Sequence, residues 1–386
     1  MISLVIPSYN NLRHLKNAYN SVRKYYTDKV ELILIDDGSD DGTFEWLQSL
    51  DDSNSIIWRE EKRIGHTILY DKGISKATND IVGILHADMY IAPNYVENML
   101  KHLKPGKVVC ATRVEPPLHP KGKEKIVKDF GMDFDSLKID DFYSFAKEEM
   151  IRMKDKTTKG MFAPWVIYKS DFEAIGGHDP GFAPFPYEDS DIFQRWILKG
   201  YELIQSRDAL TYHLTCRGHR WNKEIGKNDD EFIIFEQNAS RHYARKWGSW
   251  IQNDEYQFPI INPKYNVGII LSHNNIDLLK ALEPWCSNIY CDNNLRQHYI
   301  TTEQPNTTMD LSKRVLPINN EKNNEILITI GSNFDNEDYR HIQNLSAIIA
   351  HDDQLHEEDL PCEFILGNLK IEIIKIKNYI NDLINL

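Results

Sequence analysis

Four short stretches of this sequence carry side chains whose types and spacing could do chemistry. Asp36-Asp37-Gly38-Ser39 follows an apolar run. A carboxylate there can accept a hydrogen bond from a nucleobase imide N–H or a ribose hydroxyl; the same residues also make ordinary turns and helix caps. His86-Ala87-Asp88 closes another apolar run. Asp88 is a hard oxygen ligand suited to a divalent cation that in turn holds phosphate oxygens, and a strand-terminal turn is the plain alternative. Glu188-Asp189-Ser190-Asp191 opens an apolar helical run. Three carboxylates at a helix start are partly explained by the macrodipole, and they also offer a base for the proton of an attacking hydroxyl, whose own pKa is high. Last, Tyr212 to Trp221 holds His213, Arg217, His219 and Arg220. A neutral imidazole can complete a metal site, and guanidinium pairs well with a leaving phosphate.

The elements that must hold these groups alternate through the first hundred residues. Apolar runs at 3–7, 31–35, 55–58 and 81–85 read as strands. Helical spacing over 12–26, with Leu15, Ala18, Tyr19 and Val22 on one face, and over 42–50 and 66–78 fills the gaps. The second helix is capped within the turn at 39–41. Continuous apolar strands alternating with helices predict a parallel sheet covered on both faces. In such sheets ligands bind beyond the carboxyl ends of the strands, and both acidic clusters, at 36–37 and 88, fall there. Residues 113–160 are rich in Lys, Asp, Glu and Pro and read as an insertion or lid, with a helix over 142–153. Residues 226–250 read as helical, and 257–264 as a linker. From 265 the alternation restarts: strands at 267–271, 289–292, 325–330, 347–350 and 364–366, helices at 275–282, 338–345 and 371–386. The domain organisation expected is therefore 1–256, a linker at 257–264, and a second, smaller α/β domain over 265–386.

The bulk numbers fit that plan. A chain of 386 residues, 41% hydrophobic and 27% charged, is globular and long enough for two cores. Its net charge of −13 disfavours unaided binding to duplex DNA. No stretch reaches the length of an apolar membrane span, and residues 1–7 read as a strand, not a secretion signal. Five cysteines without a CxxC pair point to a reduced, cytoplasmic setting.

Val5-Ile6-Pro7-Ser8-Tyr9-Asn10, then Leu34-Ile35-Asp36-Asp37-Gly38-Ser39-Asp40-Asp41-Gly42-Thr43, then His86-Ala87-Asp88, then Glu188-Asp189 stand in one order. This series closely resembles the family-2 glycosyltransferases of the GT-A fold over roughly residues 1–220. The resemblance implies a Rossmann-like N-terminal domain with a mixed, mostly parallel sheet. It implies that a nucleotide-sugar, usually UDP-linked, is held by Pro7, Ser8, Tyr9 and Asp37, with Asp36 and Arg63 beside them. It implies Mn2+ or Mg2+ bound by Asp88, the last acid of the family's DxD motif, and by His213, which lies 24 residues past Asp189. His86 replaces the first acid of that motif and is itself a candidate ligand. Asp189 is the implied base, with Glu188 beside it and Asp191 as its rival. The family is mostly inverting, so a single displacement at the anomeric carbon is expected. Arg217, His219 and Arg220 are candidates for the leaving group and acceptor side, and Trp165 and Trp221 for stacking on a sugar.

Two other readings stand beside this one. A sugar-nucleotide pyrophosphorylase would share the sheet and the metal, but normally shows a glycine-rich loop where Pro7-Ser8-Tyr9-Asn10 stands. A non-catalytic nucleotide- or carbohydrate-binding protein would keep the fold, and His86 is the residue that favours it. The acceptor stays open between glycan, lipid-linked sugar, protein and modified base, as does self-association.

Overall fold

The computed structural model describes residues 1–215, 221–222, 227–352 and 355–386. The opening alternation is as the apolar runs predict: β1 (Ile2–Ser8), α1 (Leu12–Arg23), β2 (Val30–Asp36), α2 (Thr43–Gln48), β3 (Ser55–Arg59), α3 (His66–Lys76) and β4 (Ile81–Ile84). Every residue of β1 and β2 is buried, the signature of strands covered on both faces. α1 turns His14, Leu15, Ala18, Ser21 and Val22 inward, one stripe at helical spacing. α2 starts after Gly42, and the Asp41 carboxylate accepts the Thr43 N–H at 3.1 Å.

The next elements are β5 (Met89–Ile91), α4 (Tyr95–Leu100), β6 (Lys107–Glu115), β7 (Lys125–Val127), α5 (Ile139–Arg152), β8 (Thr157–Thr158), β9 (Trp165–Tyr168), α6 (Lys169–Glu173), α7 (Glu188–Leu198) and β10 (Glu202–His213). The main path of the sheet runs β3-β2-β1-β4-β9-β6-β10-β5, with β7 on β6 and β8 on β10. β3, β2, β1 and β4 are mutually parallel; β9 is antiparallel to β4 and β6, and β5 to β10. The sheet is therefore mixed. Residues 113–160 are not a separate flap. β6 runs through to Glu115, β7 pairs with it, and α5 packs Phe142, Tyr143 and Ala146 with Tyr90, Leu210 and Tyr212. The charged composition that suggests an insertion belongs partly to buried groups, Arg113, Glu115 and Glu124 among them.

Two short strands, β11 (Trp221–Asn222) and β12 (Lys227–Asn228), precede α8 (Asp230–Trp247). The chain divides into two compact units. The first takes residues 1–236, 253–259 and 385–386; the second takes 237–252 and 260–384. The division thus falls inside α8, not at the expected linker over 257–264. The second unit holds β13 (Val267–Ile270), α9 (Ile276–Leu282), β14 (Asn288–Cys291), α10 (Asn293–Glu303), α11 (Leu311–Arg314), β15 (Val315–Pro317), β16 (Ile326–Ile330), α12 (Asn336–Gln343), α13 (Leu345–Ala350), β17 (Cys362–Leu366) and β18 (Leu369–Ile373). Its sheet order is β15-β14-β13-β16-β18-β17. Two expectations fail here. The run at 347–350 is helix α13, its apolar Ile349 packed into the core, and short apolar runs do not distinguish helix from strand. Residues 369–373 alternate inward and outward as β18, and only a single 3-10 turn, Ile380–Leu383, follows; the apolar spacing there has period two, not 3.6. Among the described residues no helix is long and apolar enough to cross a membrane.

One backbone junction sets how the first unit closes around its strand ends. Gly65 has φ +91°, and a Cβ there would lie 2.2 Å from Pro184 Cα. Thr67 Oγ1 donates to the Pro184 carbonyl at 3.1 Å in the same place. The loop before α7 is therefore seated on the start of α3, and only glycine permits it. Gly200 has a similar φ of +87° with no atom within 4 Å of its would-be Cβ, so it carries the backbone constraint alone. Gly65→Ala is expected to destabilise the protein by about 2–4 kcal/mol, and Gly200→Ala by about 1 kcal/mol. Denaturant unfolding of the two variants checks this; equal losses would mean that the Pro184 contact yields.

Candidate active site

Three strand ends meet at one cleft, a cavity of about 560 Å3 lined in part by Ser8, Tyr9, His66, His86, Asp88, Arg113, Glu115 and His213. At its first end the turns after β1 and β2 are cross-bonded. The Asp37 N–H donates to the Ser8 carbonyl at 2.8 Å, and the Asn10 N–H to Ser39 Oγ at 2.9 Å. Asp36 is fully buried; one carboxylate oxygen accepts the Ser39 N–H at 3.0 Å and the other lies 3.2 Å from Arg59 Nε. It braces the turn and does not line the cleft. Asp37 does face it. Its two oxygens accept the N–H groups of Ile64 and Gly65 at 2.8 and 2.9 Å. Burial raises the Asp37 carboxyl above its usual value, opposed by those two bonds and by Arg63. A smaller hollow beside the main cavity is lined by Pro7, Ser8, Tyr9, Asp37, Arg63, Gly65, His66 and Phe185. The Arg63 guanidinium lies 4.3 Å from the Tyr9 ring centre and donates to Glu231 at 2.6 Å.

At the second end, β10 carries the imidazole to the acid. His213 is registered against Met89, and the Leu214 N–H donates to the Asp88 carbonyl at 3.2 Å. His213 Nε2 lies 3.6 Å from Asp88 Oδ1. One ligand atom each from His86, Asp88 and His213 falls within 4.8 Å of the others. His213 Nδ1 meets Glu115 Oε1 at 3.0 Å, which fixes Nε2 as the nitrogen that faces Asp88. Burial alone would raise the Glu115 carboxyl; Arg113, the His213 bond and Lys125 outweigh it and hold Glu115 far below the usual carboxylate range. Two nitrogens and a carboxylate suit a divalent transition ion, and the carboxylate–imidazole pair behind them fits a ligand set.

The third element is the start of α7. It follows Tyr187, at φ +80°, a strained conformation for a side-chain-bearing residue. Glu188 is buried and its Oε1 lies 2.8 Å from His66 Nε2. Burial would favour neutral forms of both; their mutual attraction wins, raising the His66 imidazole and lowering the Glu188 carboxyl. Asp189 is half-buried. Its carboxyl is pushed up to about 7, first by burial and then by the Glu188 charge, with His178, His66 and Arg113 opposing. That is the ordinary range for a base working near neutrality.

Asp191, the rival base, is fully buried, and its carboxylate accepts from Arg195 Nε at 2.8 Å, one turn along α7. Arg195 also donates to the Ile175 and Gly177 carbonyls at 2.9 and 2.6 Å. Asp191 is a strut for the loop before α7, not a cleft group. Trp165 is fully buried among Phe172, His178 and Trp196, so it belongs to the core and cannot stack on a sugar. Arg217, His219 and Arg220 lie outside the described residues, and of Trp221 only its place in β11 is described. The structure adds groups that sequence reasoning missed. His66 opens α3 between Asp37 and Glu188, and Arg113 and Glu115 end β6. No motif marks them; a charged residue immediately either side of Val114, the two sharing one face of a buried strand, is the available signal.

Glycosyl transferase family 2 matches residues 3–173. The validoxylamine A glucosyltransferase of Streptomyces hygroscopicus subsp. jinggangensis is 24% identical over 229 residues, which is 54% of this chain and 54% of that protein. The glycosyltransferase GlyG of Streptococcus pneumoniae is 26% identical over 106 residues, 27% of this chain and 35% of that protein. The chain spans about half or less of the length of these curated relatives. Among solved structures, the mannosyltransferase PcManGT from Pyrobaculum calidifontis, in complex with GDP-Man and Mn2+, is 20% identical with a TM-score of 0.42, over 63% of each chain. The sheet of the first unit is mixed, with its acidic and polar motifs at the carboxyl ends of β1, β2 and β4. Over residues 3–173 this chain is similar to glycosyl transferase family 2.

Proposed function

We propose that this protein is a metal-dependent, inverting glycosyltransferase that moves a sugar from a nucleotide-sugar, UDP-linked by preference, to an acceptor hydroxyl. The observation that carries the reading is the nearness of three groups: the Asp37 hollow, the His86–Asp88–His213 set on the adjoining cavity, and the raised carboxyl of Asp189, which feels the charges of the cavity residues His66 and Arg113. The hollow between Tyr9 and Asp37 is suited to a nucleobase. Tyr9 and Arg63 offer flat faces, and each Asp37 oxygen keeps a lone pair for an imide N–H beyond the backbone bond it already accepts. Mn2+ or Mg2+, held by Asp88, His213 and His86, would neutralise charge on the departing diphosphate. Lys121 lines the same cavity, beside Arg113 and Lys125, whose charges are offset by Glu115 and Glu124. Asp189 takes the proton of the acceptor hydroxyl as that oxygen attacks the anomeric carbon from the face opposite the phosphate. His66 holds Glu188 in its charged form, and that charge keeps Asp189 basic enough for the task. His86 was the residue favouring a non-catalytic protein; its ring nitrogen lies within reach of Asp88 and His213, which supports it as a replacement ligand. A relative named for glucosyl transfer supports the transferase reading over a pyrophosphorylase. A cytoplasmic setting goes with this proposal.

Titration of the purified chain with UDP, with and without Mn2+, tests the donor site. Binding is expected to be tighter with metal, weakened about tenfold or more by Asp37→Ala, and indifferent to metal in Asp88→Ala. Failure of UDP, GDP and other diphosphates alike would sink the reading.

Asp189→Asn is expected to lower kcat about 10²–10⁴-fold with UDP affinity unchanged; an unaltered rate would remove Asp189 from the base role. The base must be ionised to act, so the rate should rise with pH through the raised pKa, near 7 and well above the usual aspartate range. In Glu188→Gln, with the neighbouring charge gone, that limb should move to lower pH. A limb that stays in place, or moves up, would mean that another group sets it.

Glu115→Gln leaves the three ligands intact but loosens the His213 orientation. Mn2+ affinity, read by calorimetry, is expected to fall about 10–100-fold, and an unchanged affinity would show that Glu115 does not orient a ligand.

A further inference from the structure

One hydroxyl on the wall of the transferase cleft has no task in the reading above. Tyr70 stands one turn along α3 from His66, so the two side chains leave the same face of the helix. Both line the cavity of about 560 Å3. The Tyr70 ring is packed among imidazoles. Its centre lies 5.5 Å from that of His66, 5.8 Å from that of His178 and 6.4 Å from that of His86, the last at an interplanar angle of 23°. The residue is 3% exposed. A ring held on several sides sets its oxygen at a fixed point. That hydroxyl has no hydrogen-bond partner among the described residues, and it is not closed off. The Tyr95 hydroxyl and His178 Nε2 are enclosed without a partner, whereas the Tyr70 oxygen opens onto the cavity.

Core packing accounts for the ring, and phenylalanine would serve as well there. It does not account for the oxygen, since a buried phenol normally finds a partner. The neighbours of the ring say where a partner would lie. His66, on one flank, bonds Glu188, which precedes the proposed base Asp189. His86, on another, belongs to the set with Asp88 and His213. Burial, then the charges of Asp189, Glu188 and Asp88, raise the phenol well above its ordinary value, so near neutrality it keeps its proton and remains a donor. In a single displacement the transferred sugar lies between the leaving diphosphate and the attacking oxygen. An uncharged O–H that both donates and accepts matches a sugar hydroxyl. We propose that the Tyr70 hydroxyl hydrogen-bonds a hydroxyl of the transferred sugar and so helps to select the donor, an inference that rests on the transferase reading. A site built in this way rejects a sugar that lacks the matching hydroxyl, because the buried oxygen is then left unpaired.

Calorimetric titration with UDP and with UDP-glucose, UDP-galactose and their N-acetylamino counterparts, all in the presence of Mn2+, tests this on the unaltered chain and on Tyr70→Phe. The unaltered chain should separate the sugars. For the one it binds most tightly, Tyr70→Phe should weaken binding about tenfold, narrow the preference by a similar factor, and leave UDP within about twofold. Equal losses for UDP and UDP-sugar, no loss for either, or no separation of the sugars by the unaltered chain would overturn the proposal and leave the transferase reading standing. An unaltered chain that binds neither UDP nor any UDP-sugar would end both. Thermal unfolding gives a second readout. The hydroxyl has no protein partner to lose, so Tyr70→Phe should hold Tm within about one degree or raise it. A variant that unfolds several degrees earlier, or does not fold, would reveal a structural bond and overturn the proposal as well.

Discussion

A single buried carboxylate joins the parts of the first unit that have to meet. Asp37 accepts two successive backbone N–H groups, those of Ile64 and Gly65, and so fixes the loop that leads into α3. A carboxylate bonded in this way is stable inside protein only because both oxygens are satisfied by donors that cannot move away. Gly65, once held, presents a surface without a side chain, and the loop at 183–186 settles on it. That seating brings Glu188 to His66, the next residue along. The pocket at the end of β2 and the carboxylates at the start of α7 are more than 150 positions apart in the chain, yet they are joined through one acid and one glycine.

Charge is managed along the cleft by pairing across elements. Glu115 takes Arg113, Lys125 and His213 as partners, so its carboxylate stays ionised and can hold the imidazole in one tautomer. Glu188 is ionised by His66, and its charge is then passed on as a penalty to Asp189. Two neighbouring carboxyls in one sequence motif thereby acquire different protonation behaviour from their surroundings alone.

Much of this was legible in the sequence, and the exceptions have physical causes. The first four strands and their helices follow from apolar runs of the right length, and the ends of those strands bear Asp37 and Asp88 as expected. His213 stands out locally only as one of two histidines clustered with two arginines, and the resemblance chooses it over His219; the pairing of β10 with β5 sets it beside Asp88. Asp191 was misjudged because a first-turn acid and a base look alike until the partner, Arg195, is seen to be buried with it. Trp165 was misjudged for the same reason, since aromatic residues serve cores and sugar sites alike. In the second unit, α13 differs from the expected strand because a four-residue apolar run carries no decisive period, whereas β18 does carry the strand period of two over Leu369–Ile373.

The division of the chain inside α8 bears on how such a protein can be taken apart or recombined. A break at the polar stretch after 256 would look natural, and would leave the second unit without residues 237–252. Arg241 and Arg245 would go with the other fragment, and Glu283, which has no exposure to solvent, would keep Arg314 as its one guanidinium. An acid stranded in that way is among the costlier defects a small core can carry. A second unit that keeps Arg241 and Arg245 on Glu283 has to begin within α8, upstream of the apparent linker.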